Sequence, residues 1–141
     1  MVASLADIDP GLIEAVAHRI VHLGDLSVEA AVIEDSLLPY IELGAEIAPL
    51  HNRPALSALE DARRALPDVP HIAVSDSYFH RTLSAEAREY AIPRGLRDGR
   101  DIFRQGFHGL SVAWAAEQAR ASRLIVCHLG GGSSVTAVRG G

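Results

Sequence analysis

Two short runs of β-branched and apolar residues, Val69 to Ser75 and Arg123 to Leu129, constrain the fold more than any other feature of the sequence. Both end in turn chemistry and read as buried strands. Val16 to His22 is a third candidate strand, and Ser134 to Val138 a further one that enters a turn at Gly140 and Gly141. Between them, Ile33 to Leu43, Pro54 to Leu66 and Gly109 to Ala121 carry helical period, and in the last of these Leu110, Trp114 and Ala121 are spaced to share a stripe. That alternation of strand and helix makes the fold class α/β. Asn52 is placed to cap a helix entering at Pro54, Pro67 to stop it, and Ser84 to open a short helix over Ala85 to Tyr90. Ile92 to Gly106, with Pro93, Gly95, Gly99 and Gly106, reads as loop and as the linker, and no internal repeat is present.

Composition narrows the function classes. A hydrophobic share of 48% in 141 residues is ample for a core. With 22% charged residues, a net charge of -5 and Arg as the basic residue throughout, there is no broad basic field for nucleic acid. The single Cys127 excludes an internal disulfide framework, and inside the run Leu124 to Leu129 it reads as a small buried hydrophobe in a reducing compartment. Met1 to Pro10 lacks a basic region followed by an apolar stretch, and no segment approaches a membrane span, so a cytoplasmic protein with no membrane partner is expected. The abrupt start and the turn at Arg139 to Gly141 suggest truncation.

Five clusters carry candidate chemistry, each with a plain structural alternative. In His18 to Gly24, strand alternation puts Arg19 and Val21 on one face and His18, Ile20 and His22 on the other. A guanidinium on a mostly buried strand can hold a small carboxylate or phosphate through paired hydrogen bonds, with Val21 as an apolar wall; a structural ion pair is the alternative. Leu50, His51 and Asn52, bracketed by Pro49 and Pro54, read alone as a helix start. Asp76 lies at the carboxyl end of an apolar strand, where ligand sites of α/β sheets gather, and could hold a divalent metal or orient a reacting group; a turn Asp bonding its own backbone fits equally. His108, between Gly106-Phe107 and Gly109, stands at a helix start whose N–H groups and dipole favour an anion, the alternative being an exposed turn His. His128 to Ser134 runs from strand through Gly130, Gly131 and Gly132 to Ser133 and a second strand, so backbone N–H groups could approach phosphate oxygens, as in the hairpin loops of actin-like and sugar-kinase ATPases. The spacing of the seven His fits no compact zinc signature, and no metal ligand is certain.

Taken in order, HRIVHLG, APLHN, SDSYFH, YAIPRG, GFHG and CHLGGGSS resemble the acetate kinases over nearly the whole chain, whose pattern runs HRVVHGG, APLHNP, FDTAFH, YAIPYE, YGFHGTSH and HLGNGAS. The resemblance implies part of the actin-like and sugar-kinase (ribonuclease H-like) ATPase fold, with residues 1–80 ending an acyl-binding domain and 81–141 beginning a nucleotide-binding one. It implies ATP-dependent, reversible phosphorylation of acetate or propionate, with ATP or ADP and Mg2+ as cofactors, and it leaves a homodimer open.

By the same resemblance, Arg19 would bind the acyl carboxylate or phosphate, Asp76 would organise magnesium and the reacting carboxylate, and His108 would stabilise the transferring phosphoryl group. Val21, Leu50 and Phe107 would line the apolar acetate pocket, with His51 nearby. His128, Leu129, Gly130, Gly131, Gly132 and Ser133 would touch the nucleotide phosphates. Gly131 stands where the family has Asn and Val112 where it has a second His, and the family's first phosphate loop and second active-site Arg lie outside these residues. A homologue without turnover, at most an anion-binding module, is the alternative.

Overall fold

The structure is a computed structural model that describes residues 9–23, 26–97 and 102–140. Gly24 and Gly99, the N-terminal stretch through Ile8 and the final Gly141 lie outside the described residues. The chain divides into two compact units between Ser75 and Asp76.

The first unit is built on a three-stranded sheet in the order β1 (Val16–Ile20), β3 (His71–Ser75), β2 (Ala30–Val32). β1 runs parallel to β3, with Val16 opposite His71 and Ile20 opposite Ser75, whereas β2 is antiparallel to it, with Ala31 opposite Ala73. The central strand alternates buried and half-buried residues because successive side chains point to opposite faces of the sheet. The expected strand Val16 to His22 ends early: the chain bends at Val21, which is buried, while Arg19 on β1 is exposed. Arg19 and Val21 therefore do not share a strand face.

Helix α1 spans Leu38–Ile47, later than the expected Ile33 to Leu43, because the Ile33 N–H is engaged by the His71 carbonyl at 2.7 Å and continues the edge of the sheet. Helix α2 spans Pro49–Ala65 and so starts five residues before Pro54. Pro54 sits inside it, in the second turn, where its missing N–H removes one intrahelical bond. Ile20, Leu23, Ile33, Leu37, Ile41, Leu59 and Ala73 form the core, to which Leu26, Ala55 and Leu56 add half-buried area. At roughly 25 cal/mol per Å2 of apolar surface removed from water, each large aliphatic side chain here contributes about 1.5–3 kcal/mol.

The second unit contains a 3-10 turn at Tyr78–Thr82, two short helices α3 (Ala85–Arg88) and α4 (Arg94–Arg97), helix α5 (Gly109–Ala119) and a hairpin of β4 (Arg123–Leu129) and β5 (Ser133–Arg139). Ser84 caps α3 as expected, accepting from the Ala87 N–H at 3.3 Å. The described residues of the expected linker pack within this unit: Arg104 donates to the carbonyls of Ala87 and Glu89 at 2.7 and 2.6 Å, and Arg88 lies 3.9 Å over the Phe103 ring.

Two packing expectations are overturned here. Val112 is the fully buried residue of α5, with Ala115 and Ala116 beside it, while Trp114 is 65% exposed, so the Leu110, Trp114 and Ala121 stripe is not the packed face. In β4 only Val126 is buried, because α5 covers one face of a two-stranded sheet; Ile125, Cys127 and Leu129 point to the other face and are exposed. Cys127 is thus not a core residue.

Candidate functional site

In the second unit the polar chemistry gathers around the start of α5. His108 precedes the helix in the left-handed region, with φ of 64°, a conformation that costs a non-glycine residue on the order of 1–2 kcal/mol. Asp76, 1% exposed, holds it there: its Oδ2 accepts from the His108 N–H at 3.1 Å, its Oδ1 from the Leu110 N–H at 3.3 Å, and its backbone carbonyl from the Gly109 N–H at 2.7 Å. A carboxylate supplied from elsewhere in the chain therefore satisfies the orphan amides of the helix and complements its dipole. Asp76 thus supplies a carboxylate to this helix start. Gly109 is required by the same contact, since a Cβ there would overlap the Asp76 carbonyl oxygen.

The rings sit on one side of this anchor. His108 and His128 stack with centroids 4.4 Å apart and planes at 18°. Nδ1 of His128 is 3.0 Å from Ser111 Oγ on the first turn of α5. A Cβ built on Gly132 would lie 3.0 Å from His108 Nε2, and one on Gly130 3.9 Å from His128 Nε2, so both imidazoles present their Nε2 edges to the glycine turn. The turn itself is closed by Gly130 N–H donating to the Gly132 carbonyl at 3.0 Å, while Gly131 has open space where a side chain would be. In the hairpin register His128 faces Ser134, putting Ser134 on the inner face and Leu129 and Ser133 among the exposed residues. His108 Nδ1, Ser134 Oγ and His80 Nε2 are buried without a hydrogen-bond partner.

His80 was not singled out from the sequence, although it belongs to the SDSYFH block. It lies under the loop that carries Phe107, and Gly106, at φ of 70°, leaves no room for a Cβ against its ring. Burial pushes its pKa below the ordinary value, and His108 adds to this, against the opposing pull of a Phe107 backbone hydrogen bond and of Asp76. It is poised to stay neutral. Ser111 was likewise missed, because a Ser within an Ala-rich helix carries no spacing signal of its own.

In the first unit, Arg19 is exposed on β1, and Val21 is buried just beyond it. Leu50 is 86% exposed and His51 is exposed, both on the first turn of α2. Asn52 does not cap a helix: it lies within α2, has no exposed surface, and bonds the chain after β1. Behind β1, His18 Nε2 lies 3.0 Å from His71 Nδ1, and His71 Nε2 lies 3.1 Å from the Leu66 carbonyl. Only a ring N–H can donate to that carbonyl, so Nε2 of His71 is a donor to Leu66. The pKa of His18 is lowered, first by burial, then by His71 and Arg63.

The metal expectation can be set against these positions. Among the described residues no three His, Cys, Asp or Glu side chains group to hold an ion, and both Asp76 oxygens accept amide N–H groups. A cation cage made by protein side chains alone is therefore absent among the described residues.

The mixed α/β framework is part of the fold of the acetate and propionate kinases, the actin-like ATPase fold. A propionate kinase from Francisella tularensis subsp. tularensis superposes with a TM-score of 0.80 at 34% identity, over 90% of this chain and 35% of its own. An acetate kinase from Entamoeba histolytica does so with a TM-score of 0.80 at 32% identity, over 91% of this chain and 35% of its own. The family model of the acetokinase family matches residues 5–141, and the chain belongs to that family. Among curated relatives, the acetate kinase of Clavibacter michiganensis subsp. michiganensis is 44% identical over 100% of this chain, and that of Methanosarcina acetivorans 38% identical over 100%. The chain spans 39% of the length of the first of these and 38% of the second.

Proposed function

We propose that this chain supplies the phosphoryl-facing part of an ATP-dependent kinase that converts a short-chain carboxylate, acetate or propionate, to its acyl phosphate. The observation that carries the reading is the pair of stacked imidazoles, His108 and His128, whose Nε2 edges meet the Gly130–Gly132 turn. In the transfer a carboxylate oxygen forms a bond to the terminal phosphorus of ATP while the bond to the bridging oxygen of ADP breaks. Charge spread over the three equatorial oxygens needs fixed donors more than covalent chemistry. His108 is the donor to those oxygens, held by Asp76 so that little reorganisation is needed. By the resemblance, the N–H groups of His128 through Ser133 are assigned to nucleotide phosphates and Phe107 to the acyl group in the second unit, and Arg19 to the carboxylate or phosphate and Val21, Leu50 and His51 to the acyl group in the first.

Nucleotide and Mg2+ belong to this reading as cofactors, Mg2+ arriving on the phosphates, since it retains water and phosphate oxygens more readily than it enters a protein cage. A cytoplasmic setting and a homodimer are the accompanying expectations. Hydroxamate trapping of acyl phosphate by the complete gene product with ATP, Mg2+ and acetate or propionate tests it. Product that disappears in His108→Asn and Arg19→Gln is expected; no product from the unaltered protein overturns the assignment.

A second reading is favoured by Gly131 and Val112, which stand where the resemblance has Asn and His: a homologue without turnover, at most an anion-binding module. Calorimetric titration of acetyl phosphate into this chain, beside the hydroxamate assay on it, separates the two. Binding heat without product supports the second reading.

A further inference from the structure

Asn52 spends its whole hydrogen-bonding capacity on backbone. Its Oδ1 accepts from the N–H groups of Val21 and His22 at 3.2 and 3.3 Å, and its Nδ2 donates to the His22 carbonyl at 2.6 Å and the Ile41 carbonyl at 3.4 Å. Two acceptor and two donor functions are thus all matched within a site with no exposed surface. An ordinary structural Asn in a helix would face solvent or cap an end; this one reaches from α2 to the two residues that follow β1 and ties them to α1.

The surroundings are shaped to admit it. Gly44 on α1 faces both the His22 carbonyl and the Asn52 amide, and a Cβ there would overlap each of them. The bend at Val21 stops the strand pairing after Ile20, and Asn52 Oδ1 takes the buried Val21 N–H that the ladder no longer engages. An orphaned buried N–H costs about 1–3 kcal/mol, which makes the bend dependent on this amide.

We infer that Asn52 is a positioning residue for the substrate clamp: by fixing the bend at Val21 and His22, it sets where β1 ends and where Arg19 and Val21 stand. The inference rests on the assignment of Arg19 and Val21 to the acyl site made above. Its consequence is that the helix start of the APLHN block acts on the HRIVHLG block through backbone, with no contact to substrate.

The test compares Asn52→Ala with Leu59→Ala in the 141-residue chain. Leu59 is on the same helix, is buried in the core and has a side chain that can make no hydrogen bond to the Val21 and His22 amides, so its loss reports general destabilisation. Two quantities are read: hydrogen exchange at the Val21 and His22 amides, and affinity for acetyl phosphate by calorimetry. Asn52→Ala is expected to speed exchange at both amides and weaken binding by about tenfold or more, while Leu59→Ala lowers the unfolding midpoint and leaves both readings near wild type. Unchanged exchange at Val21 and His22 in Asn52→Ala, or equal weakening of binding by both variants, overturns the inference. Should Asn52→Ala not fold, the isosteric Asn52→Asp keeps acceptors for the two amides but no donor for the His22 carbonyl. The two readings are expected to move together there, slow exchange with retained binding or fast exchange with weakened binding; slow exchange with weakened binding, or fast exchange with wild-type binding, overturns the inference. If the unaltered chain binds no acetyl phosphate, that counts against the acyl-site assignment, and amide exchange alone decides the role of Asn52.

Discussion

Up to Ser75 the chain packs Ile20, Leu23, Ile33, Leu37, Ile41 and Leu59 around its sheet, and its wholly buried amide, Asn52, has every polar atom matched. From Asp76 onward Val112, Val126 and Val138 form a core of small side chains, one face of the hairpin is uncovered, and buried atoms of His80, His108 and Ser134 have no hydrogen-bond partner. Large apolar side chains bring order to the first unit by burial. The second relies on directed bonds, chiefly those of Asp76, to hold a strained His108. Polar groups left unmatched in a region of thin packing are suited to a ligand, whereas matched ones inside a thick core serve shape.

The comparison can be broken by substitution. Ile41→Ala, at a fully buried position, is expected to cost about 2–5 kcal/mol in urea unfolding. Val112→Ala removes two methyl groups and is expected to cost about 1.6 kcal/mol from burial alone. Equal losses, or a larger one at Val112, would contradict the contrast between the cores.

Asp76→Asn should act next most strongly, and on function more than on stability. It replaces an acceptor by an amide N–H facing a backbone N–H, a mismatch of about 1–3 kcal/mol. The expected result is loss of acetyl phosphate binding with the β-sheet and helix signals of circular dichroism retained. Unchanged binding would show that Asp76 does not position His108.

The pH dependence follows from His18 and His80, both with folded pKa values lowered by burial beneath the ordinary 6.5. As pH falls below 6.5, the unfolded chain takes up protons at these rings before the folded chain does, so stability is lost across the interval from 6.5 down to the folded values. The urea midpoint should be lower at about pH 5.5 than at about pH 7.5, and the difference should shrink in His80→Gln. A midpoint that rises on acidification would contradict the neutral state of both rings. Gly132→Ala is the mildest change: a methyl 3.0 Å from His108 Nε2 displaces a side-chain tip and no backbone, so stability should move by about 0.5 kcal/mol or less while acetyl phosphate affinity falls.

Much of this was legible in the sequence because it depends on local chemistry. Val69 to Ser75 and Arg123 to Leu129 contain strands, since β-branched residues bounded by turns have few other uses, and the glycine hairpin follows from its residues. β2 escaped notice because Ala30–Val32 is too short for a period to show. Which face of β4 would be covered depends on there being a single helix against a two-stranded sheet, and Cys127 and Trp114 were misjudged for that reason. Pro54 pointed to a helix start, but Pro49 takes that place, and Asn52 acquires its role only when α1, α2 and β1 meet. Asp76 and His108 were recognisable as candidates from their motifs, yet the bond between them spans 32 residues and no local pattern announces it.

Imidazole nitrogen NMR of the chain titrated with acetyl phosphate tests most directly the claim that the second unit faces the transferring phosphoryl group. The account predicts saturable shifts of the His108 and His128 Nε2 resonances, moved to higher ligand concentration in Gly132→Ala and abolished in Asp76→Asn. Resonances of both rings that stay unmoved at saturating ligand would contradict it.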